Sequence, residues 1–119
     1  MHLTRVSKTW LCAAGLIVNL SAAALAGPAK PPASSLVAAG KAVYAKNGCA
    51  NCHAIGGKGG KSAPDLSAIG KTKTAKWLED QIKDPKSHNP DAKMPGYEDA
   101  IKDKDLKALV AYLQSLKKK

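Results

Sequence analysis

Cys49-Ala50-Asn51-Cys52-His53 constrains this chain more than any other stretch. Two thiols three positions apart, with an imidazole next to the second, have to share one tight turn and serve a common neighbour. The third cysteine of the 119 residues, Cys12, lies far upstream in an apolar segment. One close pair cannot supply the long-range cross-links that staple a small secreted domain. The length leaves room for one small domain, so its fold has to be organised around whatever these three side chains hold.

Export is read from the first 26 residues. Arg5 and Lys8 form a charged n-region, Trp10 to Val18 an apolar run, and Ala24-Leu25-Ala26 a small-residue cleavage site. A spanning helix needs about 20 apolar residues, and this run meets Asn19 and Ser21 first. Thr9-Trp10-Leu11 lacks the small residues expected before a lipidated cysteine at Cys12. Residues 1–26 are therefore expected to be a cleaved secretory signal, leaving 93 of the 119 residues and no other segment able to span a membrane. The cleaved chain keeps only Cys49, Cys52, His53, His88 and Met94 as soft or imidazole ligands. It also lacks phenylalanine, so the modest core of so small a domain would gain from a large apolar cofactor.

Gly27 to Ser35 (GPAKPPASS) predicts a flexible tether. A first helix follows, capped by Ser34 or Ser35, with Leu36, Gly40, Val43 and Tyr44 on one face and Asn47-Gly48 as its end. Gly56 to Gly60 predicts a flexible loop. A short helix is expected over Thr74 to Lys83, stopped by Asp84-Pro85, and then an irregular stretch, Lys86 to Tyr97. Leu106, Leu109, Val110 and Leu113 predict a last helix capped by Asp103, with Lys117 to Lys119 at its negative end. With no strand alternation and no internal repeat, the expected fold class is all-α, with residues 36–119 as the folded domain.

C-x-x-C-H is the signature of covalent c-type haem attachment. Two thiols on one turn can each add to a vinyl group on the same porphyrin edge, and the adjacent imidazole is then held over the ring. Three other chemistries compete for the residues. A thioredoxin-like dithiol would want a βαβ context, which is not visible here. A structural zinc site needs four ligands, and the adjacent Cys52 and His53 could scarcely both reach one tetrahedral ion. A plain Cys49–Cys52 disulfide leaves His53 unexplained. Gly56 to Ser62 fails as a phosphate loop, since Ile55 stands where that motif requires glycine.

From Leu36 to Leu116 the chain resembles the class I cytochromes c. The resemblance rests on the haem motif, on Gly40 and Tyr44 upstream of it, on Leu109-Val110-Ala111-Tyr112-Leu113, on Pro64 and Leu66, and on Met94 in Lys93-Met94-Pro95-Gly96-Tyr97. Gly40 to Cys49 is one residue longer than in some members. The resemblance implies N- and C-terminal helices packed together around one haem c joined to Cys49 and Cys52. It implies His53 and Met94 as axial iron ligands, the Pro64 carbonyl accepting from the His53 ring, and Leu66 packed on the haem. His88, in a polar segment that predicts an exposed loop, is the alternative sixth ligand, and Met/His ligation would raise the reduction potential. Trp77 either brings its indole N–H near a haem propionate or is a core aromatic with a wet edge.

The net charge of +10 falls to +8 once Arg5 and Lys8 leave with the signal. A nucleic-acid partner would need a recognition fold, and export removes it from reach. The lysines instead predict steering towards acidic faces of redox partner proteins. The expected protein is thus a soluble, monomeric electron carrier rather than an enzyme, placed in the periplasm, although a thylakoid lumen would fit the same leader. A haem enzyme or gas sensor would require an open sixth site, and a non-haem basic module would require unmodified cysteines.

Overall fold

The computed structural model describes residue 27 and residues 29–119, so the expected signal segment 1–26 lies outside the described residues. Helix α1 spans Ala33–Lys46, followed by a single 3-10 turn at Cys49–Asn51. A two-stranded hairpin follows, β1 (Ala54–Ile55) and β2 (Lys58–Gly59), and then a short α2, Ile69–Thr72. Helix α3 runs over Ala75–Lys83, a second 3-10 turn over Pro85–Ser87, and α4 over Asp103–Ser115. The fold is all-α apart from the small hairpin.

The largest interface joins α1 to α4. Gly40 makes it possible, because a Cβ there would lie 1.9 Å from the Ala108 carbonyl oxygen and 2.7 Å from Tyr112 Cβ. The two backbones meet where no side chain fits. One turn along, Tyr44 and Tyr112 meet edge to face at 5.7 Å between ring centroids, a geometry in which a positive ring edge faces a negative ring face. Val43 and Tyr44 from α1, Leu78 and Ile82 from α3, and Leu106, Leu109, Val110 and Leu113 from α4 form one buried cluster with Ile101. The face expected from the spacing of Gly40, Val43 and Tyr44 is the buried face of α1, with Leu36 half-buried at its start.

Several ends differ from expectation for local reasons. Helix α1 begins at Ala33, before both expected serine caps, because the Pro32 carbonyl already accepts from the N–H groups of Ser35 and Leu36. The Ser35 hydroxyl donates to the same carbonyl at 2.8 Å. Asp103 lies inside α4 with Lys102 at the cap, and Asp103 and Asp105 occupy the first turn, where negative charge suits the helix dipole. Thr74 does cap α3, its hydroxyl accepting from Trp77 N–H at 3.2 Å.

The glycine-rich segment is a tight hairpin rather than a flexible loop. Ala54 pairs with Gly59 and Ile55 with Lys58, and Gly56 and Gly57 take φ of 61° and 78°. Positive φ at both central positions is the type I′ turn that matches strand twist.

Gly40→Ala is expected to destabilise the haem-loaded protein by about 2–3 kcal/mol, the range for forcing atoms into a packed contact whose neighbour is backbone. Denaturant unfolding should show a lower midpoint at unchanged slope.

Candidate cofactor site

The turn that carries the two thiols is set up by the end of α1. The Asn47 side-chain amide donates to the Val43 carbonyl at 2.8 Å, and Gly48 turns the chain in the left-handed region at φ 68°, the usual way for a glycine to close a helix. Cys52 and His53 N–H both donate to the Cys49 carbonyl, at 3.3 and 3.0 Å. The hairpin then clamps the turn: Gly60 N–H donates to the Ala50 carbonyl at 2.8 Å. A Cβ on Gly59 would lie 2.3 Å from the His53 carbonyl oxygen, and one on Gly60 2.0 Å from that of Asn51. These glycines are required by close approach of backbone to backbone.

Cys49, Cys52 and His53 share the wall of a cleft of about 650 Å³ with Pro64, Leu66, Trp77 and Met94. Every residue expected at the site from sequence therefore lies on it. Both thiols are free, Cys49 half-buried and Cys52 exposed. Burial is the main cause that pushes the Cys49 thiol up, with the nearby Cys52 adding to it. That is the opposite of the lowered pKa of a redox-active dithiol. Among the described residues no group of three or more His, Cys, Asp or Glu side chains is placed to hold a metal ion.

His53 Nδ1 lies 2.8 Å from the Pro64 carbonyl oxygen. A carbonyl only accepts, so the proton sits on Nδ1 and Nε2 keeps its lone pair for a ligand. Pro64 is held for this purpose by the chain on either side. Ala63 N–H donates to the Cys52 carbonyl at 3.0 Å, and Leu66 N–H to the Ala54 carbonyl at 2.8 Å. From the other side, the Tyr44 hydroxyl reaches the His53 carbonyl at 3.4 Å. Burial pushes the Tyr44 hydroxyl up to about 12, so it remains a donor through neutral pH.

Met94 is half-buried against the core cluster. A turn in which Ala92 N–H donates to the Asn89 carbonyl precedes it. Beyond it, Tyr97 N–H donates to the Ile82 carbonyl at 2.9 Å, which fastens the segment to α3. His88 is exposed and lies off the cleft wall, its ring stacked on Trp77 at 4.7 Å with 2° between planes. Trp77 packs against the core and also carries the Lys73 ammonium 4.2 Å from its ring centre. Gln81 and Tyr97 line the cleft without having been expected there. Gln81 follows Trp77 by one helical turn, a spacing that could have shown it. For Tyr97 the signal was only its place three residues after Met94.

Two thiols, an imidazole with a free Nε2 lone pair, a thioether and a mainly apolar wall suit a covalently held haem. The volume lies within the roughly 300–1,000 Å³ usual for a cofactor site. Residues 37–117 match the family model described as cytochrome c, and the chain belongs to that family of electron-transfer proteins. The family holds haem c through cysteine thioethers, and Cys49 and Cys52 stand at that motif.

Among curated proteins, the cytochrome c oxidase subunit 2 of Alkalihalophilus pseudofirmus is 36% identical over 94 residues, covering 72% of this chain. The chain spans only 27% of that relative's length. No solved structure gives a significant match.

Covalent attachment has a direct consequence. The intact protein should carry the mass of one haem and keep its colour through acid-acetone extraction, whereas Cys52→Ala, with at most one thioether left, should give a labile product.

Proposed function

We propose that the protein is a soluble, exported, monomeric one-electron carrier with a single haem c. Cys49 and Cys52 form the thioethers, and His53 and Met94 hold the iron axially. The observation that carries this reading is that the Nδ1-protonated His53 and the Met94 thioether share one cleft with both thiols. When bound, the haem supplies an iron couple that takes up and releases a single electron. The chain's own residues do the rest. Pro64 fixes the tautomer and orientation of the His53 imidazole and strengthens it as a donor. Met94 supplies a soft sulfur that favours ferrous iron and keeps the sixth position closed to small ligands, which argues for transfer rather than catalysis. Leu66, Ile69, Leu78 and Ile82 keep water from the cleft wall. Thioethers do not dissociate, which suits a cofactor retained in the periplasm, the location that the leader supports.

Lysines lie at the mouth of the site. Lys73 and Lys93 line the cleft, and Lys58 and Lys61 are exposed beside the motif. They favour a docking face for redox partners of opposite charge. The matched stretch of an oxidase subunit makes a terminal oxidase the first acceptor to try.

Met94→Ala is expected to abolish the near-infrared sulfur-to-iron band, lower the midpoint potential and admit carbon monoxide or cyanide. His88→Ala should keep the band and exclude those ligands. If Met94→Ala retains the band, the ligand assignment is wrong.

Electron exchange with an acidic partner should slow steeply with salt, because exposed charges are screened over about 8 Å at physiological ionic strength. Steering accelerates encounter by roughly 10- to 1,000-fold. Charge reversal at Lys58, Lys61 or Lys93 should flatten the stopped-flow salt dependence more than reversal at Lys117 to Lys119.

A further inference from the structure

Gln81 sits on α3 one turn beyond Trp77, and its carboxamide is engaged at both ends. Its Nε2 donates to the Met94 sulfur at 3.9 Å, and its Oε1 lies 2.9 Å from His88 Nδ1. We propose that Gln81 is a positioning residue that sets the reduction potential through the Met94 thioether, with His88 fixing the direction of its amide. The proposal rests on Met94 being the iron ligand.

A carboxamide can face a neighbour with its N–H or, after a half-turn, with its oxygen. At Gln81 the direction is settled by His88. An amide oxygen only accepts, so the 2.9 Å contact puts a proton on His88 Nδ1 and leaves the Gln81 N–H directed at the sulfur. The reverse orientation would bring oxygen lone pairs against sulfur lone pairs. His88 in turn is held in place despite its exposure. Its ring lies flat against Trp77. The turn leading to it is fixed by the Asp84 side chain accepting from Lys86 N–H at 3.1 Å, and by the Ser87 hydroxyl donating to the Asp84 carbonyl at 2.6 Å. Trp77, Gln81 and His88 thus form a clamp from two neighbouring elements, and the clamp closes on one sulfur atom.

A thioether sulfur has two lone pairs. With one directed to iron, an N–H on the other draws electron density away and selects which lone pair is free to bind. A weaker sulfur donor disfavours ferric iron more than ferrous iron, so the contact raises the potential. Groups of this kind, one step removed from the metal, are known levers on haem potential. A single hydrogen bond shifts an equilibrium by roughly two- to tenfold.

The test uses the full, haem-loaded protein, with two readouts: midpoint potential and the position of the sulfur-to-iron band. Gln81→Leu should keep the band but displace it. It should also change the ferrous-to-ferric ratio at fixed electrode potential by about three- to tenfold towards ferric, which is ~30–60 mV at 59 mV per tenfold for one electron. His88→Ala, at an exposed position that leaves the core untouched, should displace the band in the same direction by less. A purely structural or electrostatic role would move the potential without moving the band. An unmoved band in both variants overturns the proposal while leaving Met94 as ligand. Absence of the band from the unsubstituted protein overturns the ligation reading, and this proposal with it.

Discussion

At Gly40 the backbone of α1 meets the carbonyl of Ala108 in α4 with no space for a side chain. The site depends on that crossing through two connections. The C-terminus of α1 leads within three residues into the turn bearing Cys49, so the position of the thiols follows from how α1 lies on α4. The inner face of α4 supplies Leu113, which packs in the core and also lines the cleft. Loosening the crossing would therefore shift the thiol-bearing turn relative to the far wall, which carries Met94.

Core and cleft are built from the same side chains. Leu78, Ile82 and Leu113 belong to the buried cluster and to the cleft wall at once. A chain without phenylalanine has few other large apolar groups to place there. A flat apolar cofactor against those residues would complete the core as well as the site, since burial of apolar area is the main favourable term in folding. On this view the cofactor is a structural element, and its covalent attachment guards the fold as much as the redox function.

Much of this was legible in the sequence, for identifiable reasons. Leu106, Leu109, Val110 and Leu113 repeat at helical spacing over a helix long enough for the pattern to be unambiguous, and α4 lies there. The C-x-x-C-H run carries its chemistry in its spacing, and Pro64 and Met94 stood out once so few ligands remained. Short elements were not legible. Helix α2 has four residues and each strand has two, too few for a period to be expressed. The paired glycines of the hairpin were read as loosening the chain, when their positive φ is what closes a tight turn. The contacts of Gln81 were hidden for another reason. They join α3 to a turn seven residues on and a loop thirteen residues on, and no local pattern records that meeting.

The two sides of the cleft are built on different principles. On the His53 side the orienting groups are backbone carbonyls and close glycine contacts: the Pro64 carbonyl accepts from the ring, and Gly59 and Gly60 wrap the turn. Substituting a side chain cannot remove a backbone carbonyl, so this half is resistant to fine adjustment and sensitive to gross change. On the Met94 side the sulfur's polar neighbour is a side-chain amide, itself directed by the exposed side chain of His88. Those positions can change without disturbing the crossing of α1 and α4 or the thiol-bearing turn. The fold thereby separates retention of the cofactor, which is fixed in the main chain, from adjustment of its potential, which is left to replaceable side chains.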